Sequence, residues 1–258
     1  MNQYKYIKTI KRKNLIVLLS QILISIIFII IWELLSKYKV INTFIFSSPS
    51  RIIETIINLF QNNRLLYHIW VTSYETIIAF TITFILSLII SIILYESKYL
   101  SRVFDPYLTM LNSLPKVALG PIIIIWVGAN IKSIILMSIL ISLIVSIQTI
   151  YSGFINTDKN KIKLLKTFGA SKIDILFKVV IPYNYSVIIN SLKIDVSMCL
   201  IGVIMGEFLT SKAGIGYLIL YGSQIFNLNL VMSGILILII LSIILYELTR
   251  YIEKRLIN

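Results

Sequence analysis

The stretch Lys163–Pro182, KLLKTFGASKIDILFKVVIP, decides how the rest of the chain is interpreted. Just before it, Asp158 can cap a helix, and apolar residues follow at helical spacing as far as Phe168. Gly169 then permits the left-handed backbone that closes a helix. A second amphipathic turn follows, and Pro182 predicts a break before the next helix. The stretch therefore predicts two short helices bent at Gly169.

Long apolar runs flank this stretch on both sides. The chain is 58% hydrophobic and 14% charged, with a mean hydropathy of +0.92, whereas a soluble domain carries about 25% charged residues. It has too little polar surface to cover a globule in water, so we expect one all-α integral membrane domain over residues 1–258. Six runs are long enough to span a bilayer: residues 15–35, 69–94, 105–128, 133–153, 187–209 and 230–249. The loop 154–186 connects the fourth and fifth runs, and Pro106, Pro115, Gly120 and Pro121 interrupt the third.

The net charge of +13 orients the chain rather than indicating nucleic-acid binding, because the basic residues lie between the apolar runs. Sixteen Lys and Arg residues fall in segments 1–13, 97–102, 154–178 and 250–258, against six in segments 37–66, 129–132 and 210–229. The excess predicts that both termini and the loop 154–186 are cytoplasmic. In the outer segment 37–66, Ser47 or Ser48 can cap a short amphipathic helix.

Several classes of site are excluded by residue type. His68 is the single histidine and Cys199 the single cysteine, so a site with two or more histidines, a cysteine-based metal site and a disulfide are all excluded within the chain. We expect His68 to be an interfacial polar residue. Eleven scattered carboxylates show no catalytic cluster, and no phosphate-binding G-x-x-x-x-G-K-[ST] loop occurs. An integral membrane enzyme or a membrane scaffold without transport activity remains the alternative to a transporter.

Three motifs resemble, in chain order, the permease subunits of binding-protein-dependent ABC importers. Those permeases carry a loop with E-A-A, three residues, G, nine residues, then I or V, one residue and L-P. In this chain nine residues also separate Gly169 from VVIP at 179–182, while KLL at 163–165 stands in place of E-A-A. LNSLPKVALGPIIIIWVGA at 111–129 and SLKIDVSMCLIGVIMGEFLTSKAGIGYLI at 191–219 resemble segments of the nitrate, sulfonate and taurine branch.

The resemblance implies the transmembrane domain of a type I ABC importer in a bacterial inner (cell) membrane. Two permease copies, expected as a homodimer surrounded by membrane lipid, would form the pathway. Partner ATPase subunits would bind ATP and Mg²⁺, and an extracytoplasmic substrate-binding protein would deliver a small solute. This chain would then bind no cofactor and no metal, and would have no catalytic residue. Nitrate, sulfonates and taurine are the implied solutes, with thiamine-precursor pyrimidines and riboflavin as alternatives.

The resemblance also assigns roles to residues. ATPase coupling falls on Lys163, Leu164, Leu165, Phe168, Gly169, Ala170, Ser171 and Pro182. Leu165 and Phe168 are expected to enter a groove on the ATPase. Among the spans, the candidates for a pathway or gate role are Pro115, Gly120, Pro121 and Glu207. Gly202 and Gly206 form a G-x-x-x-G pattern that favours close helix packing. Lys193 is expected to extend its amine towards the cytoplasmic surface.

Overall fold

The computed structural model describes residues 3–257 as an all-α chain; Met1, Asn2 and Asn258 of the expected domain lie outside these residues. Its α-helices are α1 (Gln3–Lys37), α2 (Thr43–Phe46), α3 (Pro49–Gln61), α4 (Arg64–Glu96), α5 (Lys98–Ser113), α6 (Gly120–Val127), α7 (Ile131–Ile155), α8 (Lys159–Thr167), α9 (Lys172–Ile175), α10 (Ile181–Tyr183), α11 (Tyr185–Thr210), α12 (Ile215–Gln224) and α13 (Leu228–Ile257). A 3₁₀ turn, Lys116–Leu119, precedes α6, and a wider π-helical turn, Leu176–Val180, precedes α10.

The predicted spans correspond to long apolar helices. Five of them can cross a membrane by length and composition: Leu15–Lys37, Arg64–Glu96, Ile131–Ile155, Tyr185–Thr210 and Leu228–Arg255. The third predicted span is a pair, α5 with Lys116–Val127, bent by 89°. The expected all-α membrane fold with six spans is confirmed when the bent pair counts as one span. Most helices extend a few residues beyond the apolar runs because flanking polar residues continue the helical backbone.

The break in the third span differs from the prediction. Pro106 lies inside α5 and does not interrupt it, although the helix loses the hydrogen bond that a residue there would donate to the carbonyl of Arg102. Gly120 and Pro121 begin α6, where a proline in the first turn is compatible with a helix. Only Pro115 stands at the bend.

The centre of the fold is a packed group of α4, α7 and α11 that is joined by small polar side chains. Ser138 Oγ donates to the carbonyl of Cys199 at 2.8 Å, and Ser91 Oγ donates to that of Ile147 at 3.2 Å. Buried Ser, Thr and Cys side chains let helix backbones approach each other and supply hydrogen bonds between them.

Two glycines set the distance between α7 and α11. A β-carbon at position 202 would overlap the Cα of Ser138, and one at position 206 would lie 2.9 Å from the Cα of Ile134. Both contacts are with backbone atoms, so no change of rotamer can relieve them. The geometry is the close helix approach that a G-x-x-x-G pattern permits.

The remaining helices pack around this group. As the sequence indicated, Ser48 caps α3, and its hydroxyl accepts from Arg51 N at 3.4 Å. Ser47 joins the start of α3 to α13 by donating to Asn229 Oδ1 at 2.7 Å. None of the apolar span of α1 is buried within the chain, and its Glu33 accepts hydrogen bonds from Ser50 at 2.9 and 3.1 Å.

Candidate functional site

The loop after α7 forms the two short helices that the sequence predicts. Asp158 caps α8 by accepting from Asn160 N at 2.8 Å. The helix closes at Gly169, whose φ is +78° and whose N–H donates to the carbonyl of Lys166 at 3.0 Å. Ala170 N donates to the carbonyl of Leu165 at 3.1 Å. These two bonds form a Schellman motif, which requires a left-handed residue at its centre.

The next helix, α9, begins with its own cap. Ser171 Oγ accepts from Asp174 N at 3.1 Å, and the Asp174 carboxylate accepts from Ser171 N at 3.2 Å. Lys178 Nζ lies 2.7 Å from Asp174 Oδ1. The hydrogen bond from Lys178, followed by those from Ser171, lowers the pKa of Asp174 to about 2. Asp174 is therefore ionised at neutral pH, and the reciprocal cap is fully formed.

The loop is anchored to the spans rather than freely hinged. Ile175, Leu176 and Val180 are buried against Ile150 and Phe154 of α7. Burying each such side chain contributes about 1.5–3 kcal/mol relative to leaving it exposed. The end of α9 and the turn after it are therefore packed directly on the end of α7.

Pro182 does not interrupt the chain as sharply as predicted. The π-helical turn Leu176–Val180 widens the backbone just before it, and such a turn accommodates a residue that cannot donate a helix hydrogen bond. The irregular position is Asn184, at the junction of α10 and α11. Its Nδ2 donates to Thr157 Oγ1 at 2.7 Å and ties the junction to the segment after α7.

The apolar residues of α8 divide between two faces. Leu165 packs on the core formed by Ile150, Phe154 and their neighbours, so it does not point outward as expected. Leu164 and Phe168 are exposed, Phe168 to 79%. Of the expected pair Leu165 and Phe168, only Phe168 is free to enter a partner's groove, and Leu164 lies exposed in place of Leu165. Lys163 is also exposed.

At the opposite end of α11, Glu207 is fully buried and holds the start of α12. Its carboxylate accepts from Gly216 N at 2.5 Å, from Tyr217 N at 3.4 Å and from Thr72 Oγ1 at 2.6 Å. The first N–H groups of a helix have no partner within the helix, and a carboxylate is favourable there. Glu207 thus caps α12 from a neighbouring helix.

Residues of α4 satisfy the adjoining backbone groups. Thr72 Oγ1 accepts from Ile215 N at 2.8 Å, and His68 Nδ1 accepts from Gly214 N at 2.9 Å. Together, His68, Thr72, Glu75, Glu207 and residues 214–217 form the Glu207 cluster. His68 is therefore buried and accepts a hydrogen bond from the backbone at the start of α12.

The glycines of the cluster follow from the position of Glu207. Gly214 has a φ of +109°, and a β-carbon there would overlap the Glu207 carboxylate. A β-carbon at Gly216 would lie 2.8 Å from Glu207 Oε2. Glu75 of α4 is also buried in this cluster, and its Oε2 has no hydrogen-bond partner among the described residues. The sequence signal for this cluster was the spacing of G-E and A-G-I-G-Y.

The other predicted span residues lie apart from one another. Gly120 is buried against Leu209 and Met137, in a packing position, whereas Pro115 and Pro121 are exposed. Lys193 pairs with Glu253, near the C-terminal end of α13, at 2.6 Å.

Asp195 is fully buried in the group of α4, α7 and α11, and the sequence offered no partner for it. Its Oδ2 accepts from Ser146 Oγ at 2.9 Å. Ser146 Oγ also lies 2.8 Å from Ser87 Oγ, so the carboxyl group belongs to a chain of hydroxyls that joins the three helices.

Comparisons with known proteins find a matching family model and several similar chains. The family model described as "Binding-protein-dependent transport system inner membrane component" matches residues 83–258. A probable ABC transporter permease protein of Haemophilus influenzae is 31% identical over 230 residues, covering 89% of this chain and 93% of the relative. The putative aliphatic sulfonates transport permease SsuC of Bacillus subtilis is 24% identical, covering 92% and 86%. The formylaminopyrimidine transport permease ThiX of Halalkalibacterium halodurans is 25% identical, covering 77% and 79%.

A solved structure shares the fold. A chain from inward-facing conformations of the MetNI methionine ABC transporter superposes with a TM-score of 0.65 at 16% identity. The match covers 73% of this chain and 94% of that chain. At this identity, the likeness concerns the fold alone.

Proposed function

We infer the role of this chain from its family: it belongs to the inner membrane components of binding-protein-dependent transport systems, the permeases of ABC transporters. We propose that it forms the translocation pathway of an importer for a small solute, as a homodimer. ATP and Mg²⁺ would bind to separate ATPase subunits, and an extracytoplasmic binding protein would deliver the solute. Both termini and the loop after α7 would be cytoplasmic.

The anchored loop is the observation that carries the proposal. Leu164 and Phe168 are exposed apolar side chains on a short helix, which suits insertion into a groove of a partner protein. The same loop buries Ile175, Leu176 and Val180 against the ends of the spans. Movement of a bound ATPase would therefore shift the spans together with the loop as a rigid unit.

Gly169→Val is expected to uncouple ATP hydrolysis from uptake while leaving membrane insertion intact. No atom lies within 4 Å of a β-carbon at this position, so the effect comes from the positive φ rather than from crowding. A β-branched residue is strongly disfavoured there. The backbone strain is about 1–3 kcal/mol, and we expect solute uptake to fall at least about tenfold. ATPase activity and solute uptake are both measured on the assembled complex in proteoliposomes.

Gly169→Asn is the matched control, because asparagine adopts the left-handed conformation far more readily than valine. It should retain most of the coupled uptake. Full coupling in Gly169→Val would show that α8 does not transmit motion from the ATPase.

The proposed orientation can be tested by labelling. A cysteine at exposed Lys163, with Cys199 replaced by serine, should react with a membrane-impermeant thiol reagent only after the membrane is opened. Lys163 makes no side-chain hydrogen bond or ion pair within the described residues, so its replacement should not disturb α8. Reaction from outside intact cells would reverse the topology.

The solute is best approached through the binding protein. SsuC and ThiX are named for aliphatic sulfonates and formylaminopyrimidine respectively. We propose a solute of one of these kinds, or nitrate, or a taurine-like aminosulfonate. Identifying the binding protein encoded beside this chain, and measuring its ligand, would choose among them.

A further inference from the structure

Lys116 stands at the bend of the third span. It follows Pro115 and begins the 3₁₀ turn that separates α5 from α6, where the chain turns by 89°. Non-helical backbone at membrane depth is tolerated only where protein covers it or where it lines a water-filled cavity. Asn112, Ser113 and Val117 around the bend are exposed in this chain.

The contacts of Lys116 place its ammonium group near the middle of the membrane. Nζ donates to the carbonyl of Ile141 at 3.2 Å. Ile141 is the eleventh of the 25 residues of α7, about 15 Å from the start of that helix at 1.5 Å per residue. A hydrocarbon core is about 30 Å thick, so this carbonyl lies far from both surfaces.

The charge of Lys116 has only neutral partners. Besides Ile141, Nζ donates to Asn112 Oδ1 at 3.3 Å. Within the part of the chain that the structure describes, the ion pairs are Asp174–Lys178, Lys193–Glu253 and Glu247–Arg250, and none includes Lys116. An unpaired ammonium is costly in hydrocarbon, and intramembrane charges face a partner charge or a water-filled path.

We propose that Lys116 and Asn112 form an anion-binding site in the translocation pathway, so that the imported solute carries an oxyanion group such as a sulfonate or carboxylate. This inference rests on the proposed import function. Lys116 supplies a point charge, and Asn112, which accepts from Lys116 through Oδ1, keeps its Nδ2 donors for the oxyanion. A positive charge at the bend favours anionic over neutral solutes of the same size.

A labelling experiment tests the charge without knowledge of the solute. In the assembled complex, with Cys199 replaced by serine, Asn112→Cys reports on the site and Tyr99→Cys, at the other end of α5, is the control. Rates with an anionic and a cationic methanethiosulfonate reagent are compared in three backgrounds: unmodified Lys116, Lys116→Gln and Lys116→Arg. For Asn112→Cys, the ratio of the anionic to the cationic reaction rate should fall about tenfold in Lys116→Gln and be retained in Lys116→Arg. The reason is that the Coulomb energy between the side-chain charge at 116 and a charged reagent at the neighbouring thiol is a few kT. The ratio for Tyr99→Cys should not change.

Two results of the labelling experiment would overturn the proposal: an equal ratio in all three backgrounds, or no reaction of the thiol in Asn112→Cys with either reagent. The second would mean that Lys116 only binds the Ile141 carbonyl in a closed packing contact. Glutamine can still donate to that carbonyl, so a purely structural role predicts no loss in Lys116→Gln.

Uptake separates this proposal from the import function itself. With the partner ATPase and binding protein present, import of an alkanesulfonate should fall at least about tenfold in Lys116→Gln and less than about threefold in Lys116→Arg. Import of a neutral pyrimidine, unchanged in Lys116→Gln, would refute the anion site while leaving the importer assignment intact. If no solute were imported and no ATPase co-purified, the importer assignment would be refuted. The labelling ratio would still show whether Lys116 attracts anions to the bend.

Discussion

Gly202→Val is expected to prevent the folded transporter from forming. The first carbon of any side chain at 202 overlaps the Cα of Ser138, so α7 and α11 would have to separate along their length. Overpacking a tight core costs about 1–3 kcal/mol even where side chains can adjust, and here the obstacle is backbone. We expect at least about 3 kcal/mol of destabilisation, measured as loss of the folded peak in size-exclusion chromatography in detergent and a lower melting temperature.

The neighbouring exposed residue supplies the control. Ile201→Val changes a side chain that is 49% exposed, and its effect should stay below about 1 kcal/mol. Removing the Ser138 side chain should not rescue Gly202→Val, because the clash is with the Ser138 main chain. A melting temperature near that of the unmodified chain would mean that α7 and α11 are farther apart than described.

Glu207→Ala is expected to release the start of α12. It leaves Gly216 N, Tyr217 N and the Thr72 hydroxyl without an acceptor in a buried site. Each unsatisfied buried group costs about 1–3 kcal/mol. The local readout is trypsin cleavage after exposed Lys212, which should accelerate at least about tenfold as the segment before α12 opens.

Glu75→Gln is the matched control for the cluster. Glutamine has nearly the same shape as glutamate, and the side chain at 75 makes none of the hydrogen bonds that hold the start of α12, so stability should change by less than about 1.5 kcal/mol. Equal trypsin rates in Glu207→Ala and the unmodified chain would refute the capping role of Glu207.

The local features of the coupling loop were predictable because their causes are local. A carboxylate at Asp158 and a glycine at 169 define the ends of α8 through bonds within a few residues, and both ends lie where predicted. The spans were predictable for a similar reason, because about 20 consecutive apolar residues have few stable alternatives to a helix across the membrane. Pro106 was misjudged as a break because a membrane helix can continue past a proline when neighbouring groups satisfy the freed carbonyl.

The side-chain roles were less accessible. Leu165 and Leu164 are adjacent and chemically identical, so only the position of α7 decides which of them is buried. Glu207 was predicted as a gate candidate because it is an ionisable residue in a span. Its bonds to α12 and α4 became visible only once those helices were placed.

The sequence alone determined that this chain is an all-α membrane protein with six spans, a basic loop bent at Gly169 and the motifs of a transport permease. Apolar run length, charge distribution and capping act over neighbouring residues, so they can be read along the chain. Tertiary structure decided that Glu207 caps α12, that α7 and α11 meet backbone to backbone at Gly202, and that Lys116 has no counter-charge among the residues described. These facts depend on contacts between residues far apart in sequence, and their energies arise only when the helices pack.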